Sequence, residues 1–434
     1  REILMALKTE DNDLLTRVGP GTPMGRMMRE YWTPAIRSNA LIADGAPVMV
    51  RLFGQDYVAF RATDGSVGFI DEACPHRGVS LTLARNENNG LRCIFHGWKF
   101  DTAGKLVDAP AEPAARREKF IATVNTGQYS TREAAGVVWV FVGEGKAPPF
   151  PEFEFMPLPP EQVVIRRAVV PYNWLQGLEA HLDSSHVGFL HSGWTKQDTE
   201  HTEKKQREMI QKMLMDNAPR FEMDDTIYGM REGALRDLGG GVTYARIREV
   251  VLPFHTFIPA PPNAHNSSRI SVPIDDETSA EWYVLYNAEK PLDPAIIKAF
   301  FFNTANDPDN FAANLGDKST RWDQDREAMK KGHFSGLVKN LSFEDFIVQA
   351  SMGRRFDRSK EQLGSADAIV VKVRRLLLEA VKAFDAGAPA PWNSNDIDYR
   401  SIRARSVEFE AGKNWREFVY AKASKNAAEE AVAR

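Results

Sequence analysis

Between Pro47 and Gly143 short apolar runs alternate with turn residues. Val48 to Phe53, Tyr57 to Ala62 and Val67 to Ile70 are separated by Gly54-Gln55-Asp56 and Asp64-Gly65, and Val137 to Val142 is a near-continuous apolar run after Gly136. Short strands at regular spacing predict an all-β sandwich or small barrel. Ahead of them the pattern changes to a helix around Thr22 to Trp32. Thr22 suits the N-cap, Pro23 the first helical position, and Met24, Met27, Met28 and Tyr31 recur at helical spacing, as in a helix that packs on a core. Gly19-Pro20-Gly21 lacks the preceding strand and the spacing of a dinucleotide loop.

Ala147-Pro148-Pro149-Phe150-Pro151, with Pro157, Pro159 and Pro160 soon after, reads as a linker. Beyond Glu161 the texture is mixed. The pattern predicts a helix from Trp174 to about Ser185, a solvated helical face from His201 to Lys212, and strands around Tyr244 to Leu252 and Glu281 to Asn287. Two later helices follow, Phe343 to Met352 and Ala366 to Phe384, the second ending at Gly387. Strands and helices in blocks, without strict alternation, give an α+β class.

Composition narrows this picture. With 434 residues, 43% of them hydrophobic and 26% charged, the chain belongs with soluble globular proteins of two or three domains. A net charge of -4 supplies no basic field for nucleic acid or an anionic membrane, and no 18-residue apolar run suggests a membrane span. Arg1-Glu2-Ile3-Leu4-Met5 lacks the features of a signal peptide, so a cytoplasmic location is expected. Two cysteines cannot build a disulfide framework. Their chemistry must lie elsewhere.

Both cysteines sit in matched loops, Cys74-Pro75-His76 and Cys93-Ile94-Phe95-His96, and Gly78 and Gly97 follow the histidines where the backbone must turn sharply. Each loop offers one thiolate and one imidazole. Two such loops can clamp a two-iron cluster, thiolates on one iron and imidazoles on the other, which is the Rieske arrangement. A Cys2His2 zinc site needs the same ligand types. Zinc fingers usually pair Cys with Cys and His with His, whereas here the order alternates. Trp98 could cover a cluster or be an ordinary core aromatic. At these residues the chain resembles Rieske proteins, and the 274 residues after the linker make the whole similar to the oxygenase component of a Rieske non-haem iron oxygenase.

A second concentration of donors follows the linker: Glu179, His181, Asp183, His186 and His191 fall within thirteen residues. Mononuclear Fe(II) sites that activate oxygen use two histidines and one carboxylate and keep positions open. Asp183 and His186 are spaced to share a helix face, but His186 and His191 on one straight helix would splay by about 140°, so the helix must end or distort near Gly188. The resembled family's Asp-x-x-His-x-x-x-x-His pattern matches Asp183, His186 and His191, which implies His186 and His191 as iron ligands. Its third ligand, an Asp on a later helix, corresponds to Asp345, a residue otherwise explicable as an acid at a helix start. Asp183 is then an electron-transfer bridge between His96 and His186, across a subunit boundary. Glu179 and His181 match no role in the family and read as satisfied polar side chains.

The resemblance is to the phthalate-dioxygenase-like branch and covers Thr22 to about Phe384, including Asn173-Trp174-Leu175-Gln176 and Gln349 to Gly353. It implies an N-terminal all-β Rieske domain followed by a mixed α+β catalytic domain whose antiparallel sheet is flanked by helices. The divisions expected are an N-terminal helical segment over 1–45, the [2Fe-2S] domain over 46–146, the linker over 147–160, the mononuclear iron domain over 161–420 and a tail over 421–434. The cofactors implied are the Rieske cluster and Fe(II), with O2 as co-substrate. No dinucleotide motif is visible and both cysteines are committed, so a separate NAD(P)H-dependent reductase with flavin and iron–sulfur groups is expected. A homotrimer, or a hexamer of stacked trimers, would bring one subunit's cluster beside its neighbour's iron.

Arg246 and Arg248 would share one face of a strand, and a guanidinium grips a carboxylate bidentately; Arg246 is therefore the candidate substrate clamp, with surface salt bridging the alternative. Dihydroxylation of an aromatic carboxylate is the expected reaction. Oxidative O- or N-demethylation by a monooxygenase, a pure electron-transfer protein and a zinc-stabilised interaction protein are the competing expectations.

Overall fold

The computed structural model describes residues 6–193, 218–259, 265–301, 309–312 and 314–417. The helical face expected from His201 to Lys212 and the 421–434 tail lie outside them. Two compact units form. One comprises Arg17–Phe150 and Val272–Asp276; the other comprises Arg1–Thr16, Pro151–Ser271 and Glu277–Arg434.

The first unit is built from short antiparallel strands. Val48–Leu52, Gln55–Arg61 and Val67–Asp71 form one sheet, Thr33–Arg37, Val137–Phe141 and Ser130–Ala134 a second, and four strands of two or three residues between Arg85 and Asp108 a third. Val58, Phe60, Ile70, Leu91, Phe100 and Leu106 close the core, and Cys74, Cys93 and Trp98 belong to it. The predicted strands lie within a residue or two of their expected bounds.

Thr22 caps the helix Pro23–Met28, its hydroxyl accepting from the Gly25 amide at 3.2 Å. That helix stops short of Trp32 because Thr33 already starts a strand. The 1–45 segment does not act as one piece. Asn12 donates to the Phe356 carbonyl and the Trp174 indole to the Leu15 carbonyl, which ties the helix Thr9–Thr16 to the second unit. Arg29 donates to the Phe53 carbonyl and Trp32 to that of Pro148, which ties the following residues to the first.

The second unit is organised on an eight-stranded sheet in the order Val163–Val170, Ser279–Tyr286, Asn266–Pro273, His255–Ile258, Val242–Val251, Gly229–Asp237, Arg220–Thr226, with Arg405–Glu410 also paired to Val242–Val251. Helices Trp174–Leu182, Leu341–Ser351 and Ala368–Asp385 accompany it. On Leu341–Ser351, Phe343, Phe346 and Ile347 recur at i, i+3, i+4 and enter a core with Val170, Tyr283 and Leu285. That packing leaves the neighbouring Glu344 and Asp345 free to serve a site. An all-β unit followed by an antiparallel sheet with helices is the α+β class expected. Among the described residues no helix is long and apolar enough to cross a membrane.

Candidate metal centres

The two cysteine loops of the first unit repeat one backbone pattern. The Cys74 amide donates to the Val79 carbonyl and that of Gly78 to Cys74; likewise Cys93 donates to Trp98 and Gly97 to Cys93, all between 2.8 and 3.0 Å. Gly78 and Gly97 turn at φ of +75° and +76°, which an L side chain rarely adopts. The thiols point inward and are buried, while His76 is exposed and His96 half-buried. Their rings lie 4.5 Å apart, and Trp98 stacks on His76 at 4.5 Å. Burial, with the nearby Cys93, pushes the Cys74 thiol up to about 11. The thiols form no disulfide, and the buried His96 Nδ1 has no hydrogen-bond partner among the described residues. Two inner thiols and two outer imidazoles, one nitrogen of them unsatisfied, fit a Rieske cluster.

In the second unit Asn173 caps the helix Trp174–Leu182 through its side-chain oxygen on the Leu175 amide, 3.1 Å away. The helix ends at Leu182, ahead of both histidines, rather than distorting near Gly188. Asp183 turns extended there, and its Oδ1 accepts from the amides of Ser185 at 2.6 Å and His186 at 3.4 Å. Asp183 and His186 therefore do not share a helix face, yet the turn brings His186 Nδ1 to 3.3 Å from Asp183 Oδ2. Burial pushes the Asp183 carboxyl up, but His186 and these amides outweigh it and hold it below its ordinary value.

His186, His191 and Asp345 converge, with one donor atom from each lying within 4.8 Å of the others. Asp345 Oδ1 is 3.1 Å from His191 Nε2 and 3.5 Å from His186 Nε2. Adjacent ligands on one cation, each at about 2.1 Å, would sit about 3 Å apart, so the trio can hold one metal. Burial alone would raise Asp345, but the imidazoles lower it; burial alone would lower His191, but Asp345 and Glu344 raise it to about 9.

The face of Val242–Val251 that carries Arg246 and Arg248 looks toward this turn. Arg248 donates to the Leu182 carbonyl, to Ser184 Oγ at 3.2 Å and to Glu232, which lies directly opposite in register; Arg236 reaches the Ser184 carbonyl at 3.4 Å. These guanidinium groups satisfy carbonyls that the end of a helix leaves open. Arg246 is buried rather than in a surface salt bridge. Its Nη2 donates to the Pro259 carbonyl at 2.9 Å, while Nε and Nη1 have no partner among the described residues. Burial, with Arg248 and Arg236 nearby, pulls it down to about 10, still a cation at neutral pH.

Glu179 is structural: it pairs with Arg358 and Arg374, which bind it at 2.8 and 2.6 Å and join three segments. His181 Nε2 lies 3.5 Å from Glu281, whose other oxygen accepts from the hydroxyls of Ser271 and Ser279. Burial pushes Glu281 up to about 8 and His181 down to about 3, so a neutral acid meets a neutral imidazole. Sequence reasoning missed Glu344, Ser335, Glu232 and the helix-end role of Arg248. Only Glu344, beside Asp345 at a helix start, carried any local signal.

Two family models match the chain: the Rieske [2Fe-2S] domain over residues 31–129 and the LigXa C-terminal domain like family over 140–433. The phthalate 4,5-dioxygenase oxygenase subunit of Pseudomonas putida is 39% identical, covering 92% of this chain and 96% of its own length. The 3-chlorobenzoate-3,4-dioxygenase oxygenase subunit of Comamonas testosteroni is 36% identical, covering 91% and 93%. Among solved structures, the NdmA QL mutant of Pseudomonas putida CBB5 with caffeine shares the fold at a TM-score of 0.56 and 17% identity, covering 90% of this chain and 98% of the other. With a Rieske domain ahead of that catalytic domain, and near full-length relatives of this kind, the chain belongs to the phthalate-dioxygenase-like branch of the Rieske non-haem iron oxygenases, as an oxygenase component using a [2Fe-2S] cluster, mononuclear iron and O2.

Proposed function

We propose that this chain is the oxygenase component of a dioxygenase that dihydroxylates an aromatic carboxylate of the phthalate or substituted-benzoate type. Cys74, His76, Cys93 and His96 hold the cluster; His186, His191 and Asp345 hold Fe(II). When bound, these groups supply electron storage and oxygen activation. Asp183 orients His186 through Nδ1 and accepts His96 of a neighbouring copy, so that a carboxylate between two imidazoles fixes both rings. A head-to-tail homotrimer, or two stacked trimers, provides that neighbour. Electrons come from a separate NAD(P)H-dependent reductase with flavin and iron–sulfur groups, because both cysteines are committed and the chain has no dinucleotide loop.

The observation that carries the substrate class is Arg246. It is a buried cation with two donor nitrogens unsatisfied among the described residues, on the sheet face where Arg248 is already engaged with the turn before His186. Leaving such donors empty is costly, and a carboxylate can pair with one of them together with the second Nη2 proton, along one edge of the guanidinium. Dihydroxylation is favoured over demethylation because the two relatives named above are both dioxygenases.

A panel of benzoates, phthalates and methoxybenzoates, run with a compatible reductase, tests both parts. A cis-diol product is expected, and release of formaldehyde from a methoxybenzoate as the main reaction would overturn the dioxygenase. A charge-assisted bond of about 1.5–3 kcal/mol predicts that Arg246→Ala raises KM for the carboxylated substrate by roughly 10- to 150-fold. An unchanged KM would remove the clamp.

A further inference from the structure

His191 is gripped on both sides by two consecutive residues. Asp345 takes its Nε2 at 3.1 Å, and Glu344 takes its Nδ1 at 2.7 Å. Neighbours on a helix point about 100° apart, so both reach one residue only because the imidazole lies between them, one nitrogen to each. The two acids differ in their surroundings. Asp345 retains 22% exposure, whereas the Glu344 side chain has none.

A carboxylate taken fully out of water costs several kcal/mol unless a positive group and hydrogen bonds compensate. The partners of Glu344 are His191 and the Ser335 hydroxyl, which donates to Oε1. Neither is a permanent cation. Ser335 is itself fixed: its Oγ accepts from the Leu337 amide at 3.0 Å, and the Gly336 amide donates to His333 Nδ1 at 3.1 Å. The His333 ring packs so close to Gly193 that a Cβ there would meet it at 2.8 Å. The serine loop thus presses on the segment that carries His191.

We propose that Glu344, oriented by Ser335, is a positioning residue for the iron, one that acts entirely through His191. Accepting the Nδ1 proton fixes the tautomer whose Nε2 lone pair faces the metal, and it also fixes the plane of the ring. The Glu344 side chain does this in a place that water does not reach, 2.7 Å from the ring. This rests on His191 and Asp345 being metal ligands, so the test includes them.

Glu344→Ala, Glu344→Gln and Ser335→Ala are made in the full chain beside His191→Ala and Asp345→Ala. Fe(II) affinity is measured by chelator competition with cluster absorption as an internal standard, and Tm of the iron-free protein is followed in parallel. Glu344→Ala should weaken Fe(II) binding by about 10- to 100-fold with the cluster intact. Glu344→Gln keeps shape and acceptor but loses the charge and should fall between; Ser335→Ala should show a smaller loss. Wild-type Fe(II) affinity in both Glu344 variants would overturn the proposal, whether or not Tm falls, since a merely structural role moves Tm alone. If Glu344→Ala does not fold, the isosteric Glu344→Gln decides. Retention of iron by His191→Ala or Asp345→Ala would instead overturn the ligand assignment itself.

Discussion

The two candidate centres are assembled in opposite ways. The cluster loops are local: each is closed by two backbone hydrogen bonds within six residues, and the pair falls inside one short stretch of chain. The candidate iron site is assembled from afar. His191 and Glu344 are 153 residues apart, and the turn bearing Asp183 is held by guanidinium groups from Arg236 and Arg248, two adjacent strands. A site closed by its own backbone tolerates change at a distance, while one assembled by tertiary contacts inherits the stability of everything that holds it.

Arg248 offers the strongest test of that difference. Arg248→Met removes the hook on Leu182 and Ser184 and leaves Glu232 buried opposite a thioether. Breaking a buried pair on one side costs about 3–5 kcal/mol. Thermal unfolding should shift down accordingly and iron content should drop, with cluster absorption at the wild-type level. Equal loss of both groups would break the contrast. A double variant that also carries Glu232→Gln should recover part of the stability, because the stranded charge is gone.

The matched loops allow a test within the cluster region. Gly78→Ala and Gly97→Ala both force an alanine to a positive φ, a cost of about 1–2 kcal/mol. At Gly78 the new Cβ meets nothing within 4 Å, but at Gly97 it meets Pro110 Cγ at 2.8 Å. Gly97→Ala should therefore lose more Tm and more cluster than Gly78→Ala. Identical losses would mean that backbone strain alone governs both loops.

The last test is a pH slope. Glu281 is raised from 4.5 to about 8, so the folded form holds its proton more tightly than the unfolded chain does. Its contribution to stability is whole below pH 4.5 and is lost as the pH rises toward 8, by at most about 1.4 kcal/mol per unit. Glu281→Gln cannot lose that proton. The Tm of wild type relative to Glu281→Gln should decline steadily from pH 5 to pH 8; parallel curves would show that Glu281 is already ionised. Because Glu281 lies in the second unit, the cluster signal should not follow this slope.

The pattern of apolar and turn residues was enough for the strands Val48–Leu52, Gln55–Arg61, Val67–Asp71 and Val137–Phe141, for the cap at Thr22 and for the helix near Phe343, since those follow from local propensity and period, but not for the short strands between Arg85 and Asp108 or for Ser130–Ala134. It misplaced the end of the helix after Trp174. Helical spacing carried it to Ser185, whereas Asp183 accepts the next amides and Arg248 and Arg236 take the open carbonyls. Glu179 and Arg248 could not be interpreted from sequence, because their partners lie on other segments. The Asp345 carboxylate was visible only through resemblance to a family, as any acid at a helix start has a sufficient explanation in the dipole.

The sequence by itself determined the donors of the two loops: two cysteines, each followed by a histidine and by a turning glycine four residues on, define their loops without help from the rest of the chain. Tertiary structure alone decided which acid meets which histidine. Glu344 and Asp345 are adjacent and chemically alike, and only the imidazole folded between them gives one Nδ1 and the other Nε2. Spacing along a chain fixes what a short loop can do, but partners brought in from distant strands depend on packing, which no local pattern records.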